Sequence, residues 1–389
     1  MIKKLPKIAR YTFLYHFKAL FFDGIFNGIW LLNDIVARKH FNASPLLITL
    51  LVMAPSAALI LSLPLGPIMA KRDKRWFFII SGFARLSLIL VPFFNNQIAF
   101  VILAMVASCS WPIFYTAQNA ILKKNYPDYL RGRIFGFVYS FSGFMAIIVS
   151  LTLGKFYDHF KNLILFSYIV AGICGFLSNY FMSKIRERMV KEEEQILTKP
   201  LEILKKRKDY LIFQISFFFY GTAYMMMLPL LPIFLVDHLK VNYTQASFLN
   251  GLFFQGMMVF ASFIVGRMMD FVNPLKFVKL GFFCLFLYPI FLSFAKGVSY
   301  AYFVYGFYGV SMAIVNVAWY LAPIVFVRAK GEAASFMALH VALAGVRAFI
   351  AFPLGTSLYY LTHSFTIPFY VASLLFFIGF LIAPLKKDF

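Results

Sequence analysis

The chain has 389 residues, 62% of them hydrophobic and 13% charged, with a mean hydropathy of +0.80 and a formal net charge of +22. A soluble globular domain cannot hide that much apolar surface from water, so that class is excluded. The basic excess does not point to nucleic acid either, because Lys and Arg are spread over short segments and form no single face.

Residues 1–10 are basic and lead straight into an apolar run. That run is too long for a secretory signal and lacks a small-residue cleavage site, so no cleavable leader is expected. Runs of roughly 18 apolar residues or more then recur, each able to cross a hydrocarbon core of about 30 Å as a helix. Lipid satisfies no backbone donors or acceptors, and the runs are too long and too uniformly apolar for barrel strands. The predicted spans are 11–34, 45–69, 76–95, 97–121, 134–157, 162–183, 210–236, 244–269, 275–294, 298–326, 333–361 and 365–384. The fold class is therefore an all-α integral membrane protein with twelve transmembrane helices.

An even number of spans puts both termini on one side. Assigning that side to the cytoplasm gives 28 basic residues to the inner segments and the span ends that flank them, and six (Arg38, Lys39, Lys155, Lys161, Lys240, Lys296) to the outer loops and their flanking span ends. The asymmetry predicts cytoplasmic termini in a multi-pass protein of the cytoplasmic membrane. Three cysteines, Cys109, Cys174 and Cys284, fall inside apolar spans without any Cys-x-x-Cys or Cys/His grouping. They read as small hydrophobes, with no disulfide, metal or other cofactor expected.

Residues 184–209 form the one long polar segment and divide the spans six and six. The expected organisation is a first bundle over 1–183, a cytoplasmic linker over 184–209 and a second bundle over 210–389. The halves echo one another at an offset near two hundred residues. Asn42 and Ser44 correspond to Asn242 and Thr244, residues that suit the N-caps of spans 2 and 8. Gly66 corresponds to Gly266, and Leu153-Gly154 to Leu354-Gly355. Duplicated six-helix halves are a transporter architecture, with the solute bound near the midplane at the repeat interface.

After span 2 stands Gly66, then Lys71, Asp73, Lys74 and Arg75, with Ala70 where an acid would complete the pattern; after span 8 stand Gly266 and Asp270. Before span 5 lies "YPDYLRGRIFGFVYSFSG", containing Arg131 and Arg133. These stretches and the topology resemble the major facilitator superfamily over essentially the whole chain. The resemblance implies two pseudo-symmetric six-helix bundles that carry a small solute by alternating access. It implies that Gly66, Lys71, Asp73, Arg75, Gly266, Asp270, Arg131 and Arg133 act in gating. It also implies that spans 1, 4, 7 and 10 line the cavity. Ala70 departs from the pattern and weakens the first latch, unless Asp73 substitutes for the missing acid.

Charged groups inside a bilayer are costly and usually face a cavity or a partner. Asp23, Asn27, Trp30 and Asp34 share one helical stripe of span 1. Span 4 offers Trp111, Tyr115 and Gln118; span 7 offers Tyr220, Tyr224 and Met227; span 10 offers Tyr305, Tyr308, Met312, Asn316, Trp319 and Pro323. Such stripes suit an amphiphilic or aromatic solute, or else ordinary interhelical packing. Asp23 is either a proton-coupling carboxylate or half of a permanent ion pair with Arg85 or Lys18. His340 and Arg347 are seven apart on one face of span 11, where Arg347 could clasp an anionic group or bind helix-end carbonyls. The expected partners are a small-molecule substrate, a proton or other ion, and membrane lipids, with no nucleic acid, for a protein acting as a monomer.

The leading expectation is a proton-coupled secondary transporter that exports amphiphilic or drug-like compounds. An organic-anion carrier using Arg347, a lipid flippase and a non-transporting sensor on the same scaffold are the alternatives. An enzyme or an ATP-driven pump is not expected, because no metalloprotease, serine-hydrolase or nucleotide-binding motif occurs.

Overall fold

The computed structural model describes residues 6–61, 68–69, 72–188, 200–269, 271–327 and 333–384. No strand occurs among them. Among the described residues ten helices are long and apolar enough to cross a membrane, and two shorter apolar helices complete the series. In chain order the spans are 1 (Lys7–Lys39), 2 (Pro45–Leu61), 3 (Lys74–Phe93), 4 (Gln97–Asn125), 5 (Asp128–His159), 6 (Asn162–Ser183), 7 (Lys208–His238), 8 (Tyr243–Met269), 9 (Pro274–Ser293), 10 (Val298–Leu321), 11 (Ala333–Thr362) and 12 (Thr366–Ile382). A further short helix, Pro200–Lys206, lies in the segment expected to be the linker.

Local chemistry sets the starts. Span 2 begins with Ser44 as N-cap, its Oγ accepting from Leu47 N at 3.3 Å, and with Pro45 in the first turn, where a missing N–H costs nothing. Asn96 caps span 4 and Asn273 caps span 9 in the same way, at 2.7 and 2.9 Å. At span 8 the capping residue is Asn242. It accepts from Gln245 N at 2.7 Å, while Gln245 Oε1 accepts from Asn242 N at 3.0 Å, a reciprocal box. Thr244, also expected as a cap, is instead held by Asp158, which accepts from Tyr243 N, Thr244 N and Thr244 Oγ1 at 2.8, 2.9 and 2.7 Å.

Several spans are not single straight helices. Span 1 breaks after Trp30 and resumes at Asn33. Span 7 breaks at Leu228-Pro229, where proline removes a backbone donor, and ends in a π-turn over Phe234–His238. Span 8 carries a longer π segment over Phe248–Gly256.

The residues cluster into two compact units, Met1–Glu192 with Asn242–Ser247, and Glu193–Val241 with Phe248–Phe389. In the first, span 1 packs on spans 5 and 6; in the second, span 7 packs on spans 11 and 12. Two glycines make equivalent close crossings possible. A Cβ at Gly28 would lie 2.7 Å from Ala146 O, and one at Gly355 would collide with Met226 O. Phe83, Phe144, Phe166, Phe260, Phe303 and Leu374 are all exposed, which is tolerable only where the surrounding solvent is hydrocarbon.

Candidate functional site

The first unit holds a buried ion pair. Arg85 Nη1 donates to Asp23 Oδ1 at 2.6 Å, with the side chains 0% and 3% exposed. Asn27 Nδ2 donates to Asp23 Oδ2 at 2.8 Å, so both carboxylate oxygens are engaged. The guanidinium lies between the rings of Phe26 and Phe114, 4.6 and 4.7 Å from their centroids. Gly175 makes the room, because a Cβ there would meet Arg85 Cβ at 2.9 Å and a Phe26 ring carbon at 3.0 Å. Arg85 Nε and Nη2 have no hydrogen-bond partner. Of the partners expected for Asp23, Arg85 is the one in place; Lys18 instead sits 5.7 Å from the ring centroids of Tyr15 and Phe181.

Trp30 follows on the same stripe, stacked on Phe26 and edge-on to Trp111 at 5.2 Å. Asn27, Trp30, Trp111 and Tyr115 are half-buried. Trp111 Nε1 is buried without a hydrogen-bond partner. Gln118 is fully buried, accepting from Tyr139 OH at 2.6 Å, so it is satisfied within its own unit.

The second unit holds the counterpart cluster. His340 and Arg347 do share a face, and both reach Phe217 of span 7. The His340 ring packs on the Phe217 ring at 4.9 Å, and Arg347 Nη1 donates to Phe217 O at 2.5 Å. The guanidinium occupies the space over Gly221, where a Cβ would collide with Arg347 Cζ. Arg347 is 4% exposed, its Nε has no hydrogen-bond partner, and no described carboxylate forms an ion pair with it. A buried guanidinium without a counter-ion is expensive, unlike the compensated Arg85.

Around it stand aromatic walls. Trp319 lies 3.9 Å from His340 and 5.7 Å from Phe217 between ring centroids. Tyr220 stacks on Phe282 at 4.6 Å and on Tyr224 at 6.2 Å. Tyr224, Asn316 and Trp319 are half-buried, while Tyr220 is buried. Asn316 Nδ2 points to Met258 Sδ at 3.3 Å. Sequence reasoning missed Gln214, whose Oε1 pairs with His340 Nδ1 at 3.1 Å. Its signal was visible: one amide in the apolar run of span 7. Gln214 Nε2 and His340 Nε2 are buried without partners, so this cluster holds several unsatisfied polar atoms.

Of the expected gating residues, Gly66, Lys71 and Asp270 lie outside the described residues. Asp73 accepts from Arg75 N at 3.0 Å and Arg75 Nε at 2.8 Å, an exposed local pair. Lys74 makes the longer-range contact. It is 5% exposed and meets Glu187 at 2.8 Å, and Lys124 reaches the same carboxylate at 2.6 Å. Glu187 was not anticipated, since it reads as one of several charges in the polar segment. Arg131 Nη2 donates to the carbonyls of Lys123 and Tyr126, at 2.7 and 3.3 Å, tying span 5 to the end of span 4; Arg133 is exposed. Gly266 is half-buried, and nothing lies within 4 Å of a Cβ placed on it.

Comparison with known proteins fits this architecture. The family model described as Major Facilitator Superfamily matches residues 13–346, most of the chain. The chain belongs to the major facilitator superfamily. Among solved structures, it is similar to the nucleoside transporter NupG, with a TM-score of 0.75 and 11% identity over 96% of this chain and 100% of that one. It is also similar to a bacterial homolog of the human lysosomal transporter Spinster in an inward-facing, unoccupied conformation. There the TM-score is 0.72, with 13% identity over 97% of this chain and 98% of that one. At such identities the likeness to these structures is one of fold. No curated protein matches the sequence.

Proposed function

We propose that this superfamily member is a secondary active transporter in the cytoplasmic membrane, moving a small organic anion with an aromatic or apolar body. The observation that carries the anion is Arg347, a buried guanidinium with no described counter-ion, beside the aromatic surface of Tyr220, Trp319 and His340. A carboxylate or phosphate on the solute would supply the missing charge as a charge-assisted, geometrically selective partner. Arg85 is no rival for that role because Asp23 already neutralises it. The distribution of Lys and Arg supports cytoplasmic termini. The two structural neighbours are transporters by name, which supports solute movement and leaves the choice of solute to the residues here.

A second reading, proton-driven export of an amphiphilic compound, draws on the tyrosine stacks, Tyr220 on Tyr224 and Tyr288 on Tyr308. Its coupling residue would be Asp23, which must then part from Arg85 during the cycle. Thermal stability of the purified protein separates the two. A carboxylated aromatic at a hundred times its dissociation constant stabilises a folded state by about 2.7 kcal/mol. On the anion reading the neutral amide of the same compound gives far less, and Arg347→Gln loses the response. Losing one charge-assisted contact of about 1.5–3 kcal/mol weakens affinity roughly 10- to 150-fold. Equal stabilisation by acid and amide, unchanged in Arg347→Gln, selects the amphiphile.

A further inference from the structure

A cavity of about 520 Å³ opens in the first unit, where span 3 begins and span 6 ends, beside the Asp73–Arg75 pair and lined by none of the residues of the Asp23–Arg85 cluster. Its walls include Arg75, Lys184 and Arg186, together with Asp73, Tyr11 and Trp76. Asp73 is already engaged by Arg75, so it does not neutralise the other two cations. Lys184 and Arg186 are exposed, and neither forms an ion pair with a described carboxylate. The Lys184 ammonium lies 4.6 Å from the centroid of Tyr180, and Tyr11 OH donates to Lys184 O at 3.1 Å, which fixes the residue at the rim.

The other boundary of the cavity is apolar and outward-facing. Trp76, in its wall, is 65% exposed, and Ile80, outside the wall one turn further along, is 56% exposed. Both stand on span 3, a helix apolar enough to cross the bilayer. An indole beside basic side chains at the end of such a helix is the arrangement found at a membrane–water boundary. The cavity thus joins a cationic recess to a hydrocarbon-facing strip. A free phosphate would use only the recess; a phospholipid uses both.

We propose that this groove binds the headgroup of an anionic phospholipid, its phosphate held by Lys184 and Arg186 and its acyl chains passing Trp76 and Ile80 along span 3. The site is independent of the transported solute and does not rest on the anion reading above. Basic groups near an anionic lipid surface contribute about fivefold each in affinity, so removing two lowers it roughly 30-fold.

Native mass spectrometry of the full-length protein from micelles holding equal phosphatidylglycerol and phosphatidylcholine tests this. The expected result is a phosphatidylglycerol molecule retained in preference to phosphatidylcholine. In Lys184→Gln/Arg186→Gln its affinity falls roughly 30-fold. In the charge-matched control Lys205→Gln/Lys208→Gln, placed in the other unit, affinity changes less than about threefold, under the effect of one basic group. Trp76→Ala, which keeps every charge, also lowers lipid retention; this arm serves if the double variant does not fold. No preference for the anionic lipid overturns the proposal, as does equal loss in the control pair. Displacement of the lipid by millimolar inorganic phosphate, with Trp76→Ala behaving like the parent, shows a plain anion site and overturns the lipid assignment.

Discussion

Asp23→Asn places the largest demand on the account of the first unit. The substitution keeps the shape of the side chain and its hydrogen bond from Asn27 but strips Arg85 of its counter-ion. Arg85 is 0% exposed and two of its guanidinium nitrogens already lack partners, so no water or side chain takes over the charge. Breaking one partner of a buried pair costs about 3–5 kcal/mol. At about 2–4 °C per kcal/mol for a unit of 150–250 residues, the apparent Tm falls by roughly 6–20 °C. Removing both charges with Asp23→Asn/Arg85→Met leaves a neutral, similarly filled interior, and such replacements are often neutral or stabilising. The double variant is therefore expected to recover most of the loss, a coupling of at least about 2 kcal/mol. The assay is thermal unfolding of detergent-purified protein followed by loss of the monodisperse chromatographic peak. Losses in the double variant equal to the sum of the singles would refute the reasoning, as would an Asp23→Asn that melts with the parent. The same double variant addresses coupling. If the pair is structural, it still transports under an imposed proton gradient; if Asp23 carries the proton, it is stable but uncoupled.

Other substitutions carry distinct expectations. Gly221→Ala puts a methyl where the Arg347 guanidinium lies, and that flexible head can move aside. It is therefore expected to cost little in Tm yet to weaken an anionic ligand by about tenfold or more in isothermal titration, the loss of one charge-assisted contact. Gly355→Ala meets the rigid backbone carbonyl of Met226 and is expected to lower the yield of folded protein sharply, since overpacking costs about 1–3 kcal/mol or more. Asp158→Ala removes three hydrogen bonds from the start of span 8. It is expected to cost about 0.5–2 kcal/mol, with faster amide exchange confined to residues 243–247. Gln214→Leu frees His340 Nδ1 and is expected to alter ligand affinity more than Gln118→Leu, whose partner Tyr139 lies in the other unit.

The helices were legible in the sequence because hydropathy over a bilayer-length window is set by the solvent itself. The bounds moved by a few residues, mostly outward, where amphipathic ends such as Lys7–Arg10 and Asp128–Arg133 continue the helix beyond its apolar run. The break at Leu31 left no such mark, since the residues there are apolar, and the π segment over 248–256, though it holds Asn250 and Gln255, stays within one long hydropathic run. Side-chain pairing was legible only as alternatives. Asp23 had two basic candidates, and the depth of Arg85 with the room at Gly175 decides between them. That His340 and Arg347 share a face followed from their spacing; that Arg347 lacks a described carboxylate did not, because that depends on every span around it. Glu187 and Asp158 were hidden for a different reason. An acid beside a helix end, whether isolated like Asp158 or one of a run of charges like Glu187, has no periodicity, and its role depends on which distant group it meets.

The central claim is gradient-driven movement of an organic anion that depends on Arg347, and reconstitution into liposomes tests it most directly. With a proton gradient or counter-flow imposed and no nucleotide present, the parent protein is expected to accumulate a radiolabelled aromatic carboxylate above its external concentration. Arg347→Gln, folded to the same Tm, is expected to lose that accumulation at low substrate. Failure of the parent to accumulate any carboxylate or phosphate ester that raises its Tm would contradict the account, and so would undiminished accumulation by the variant.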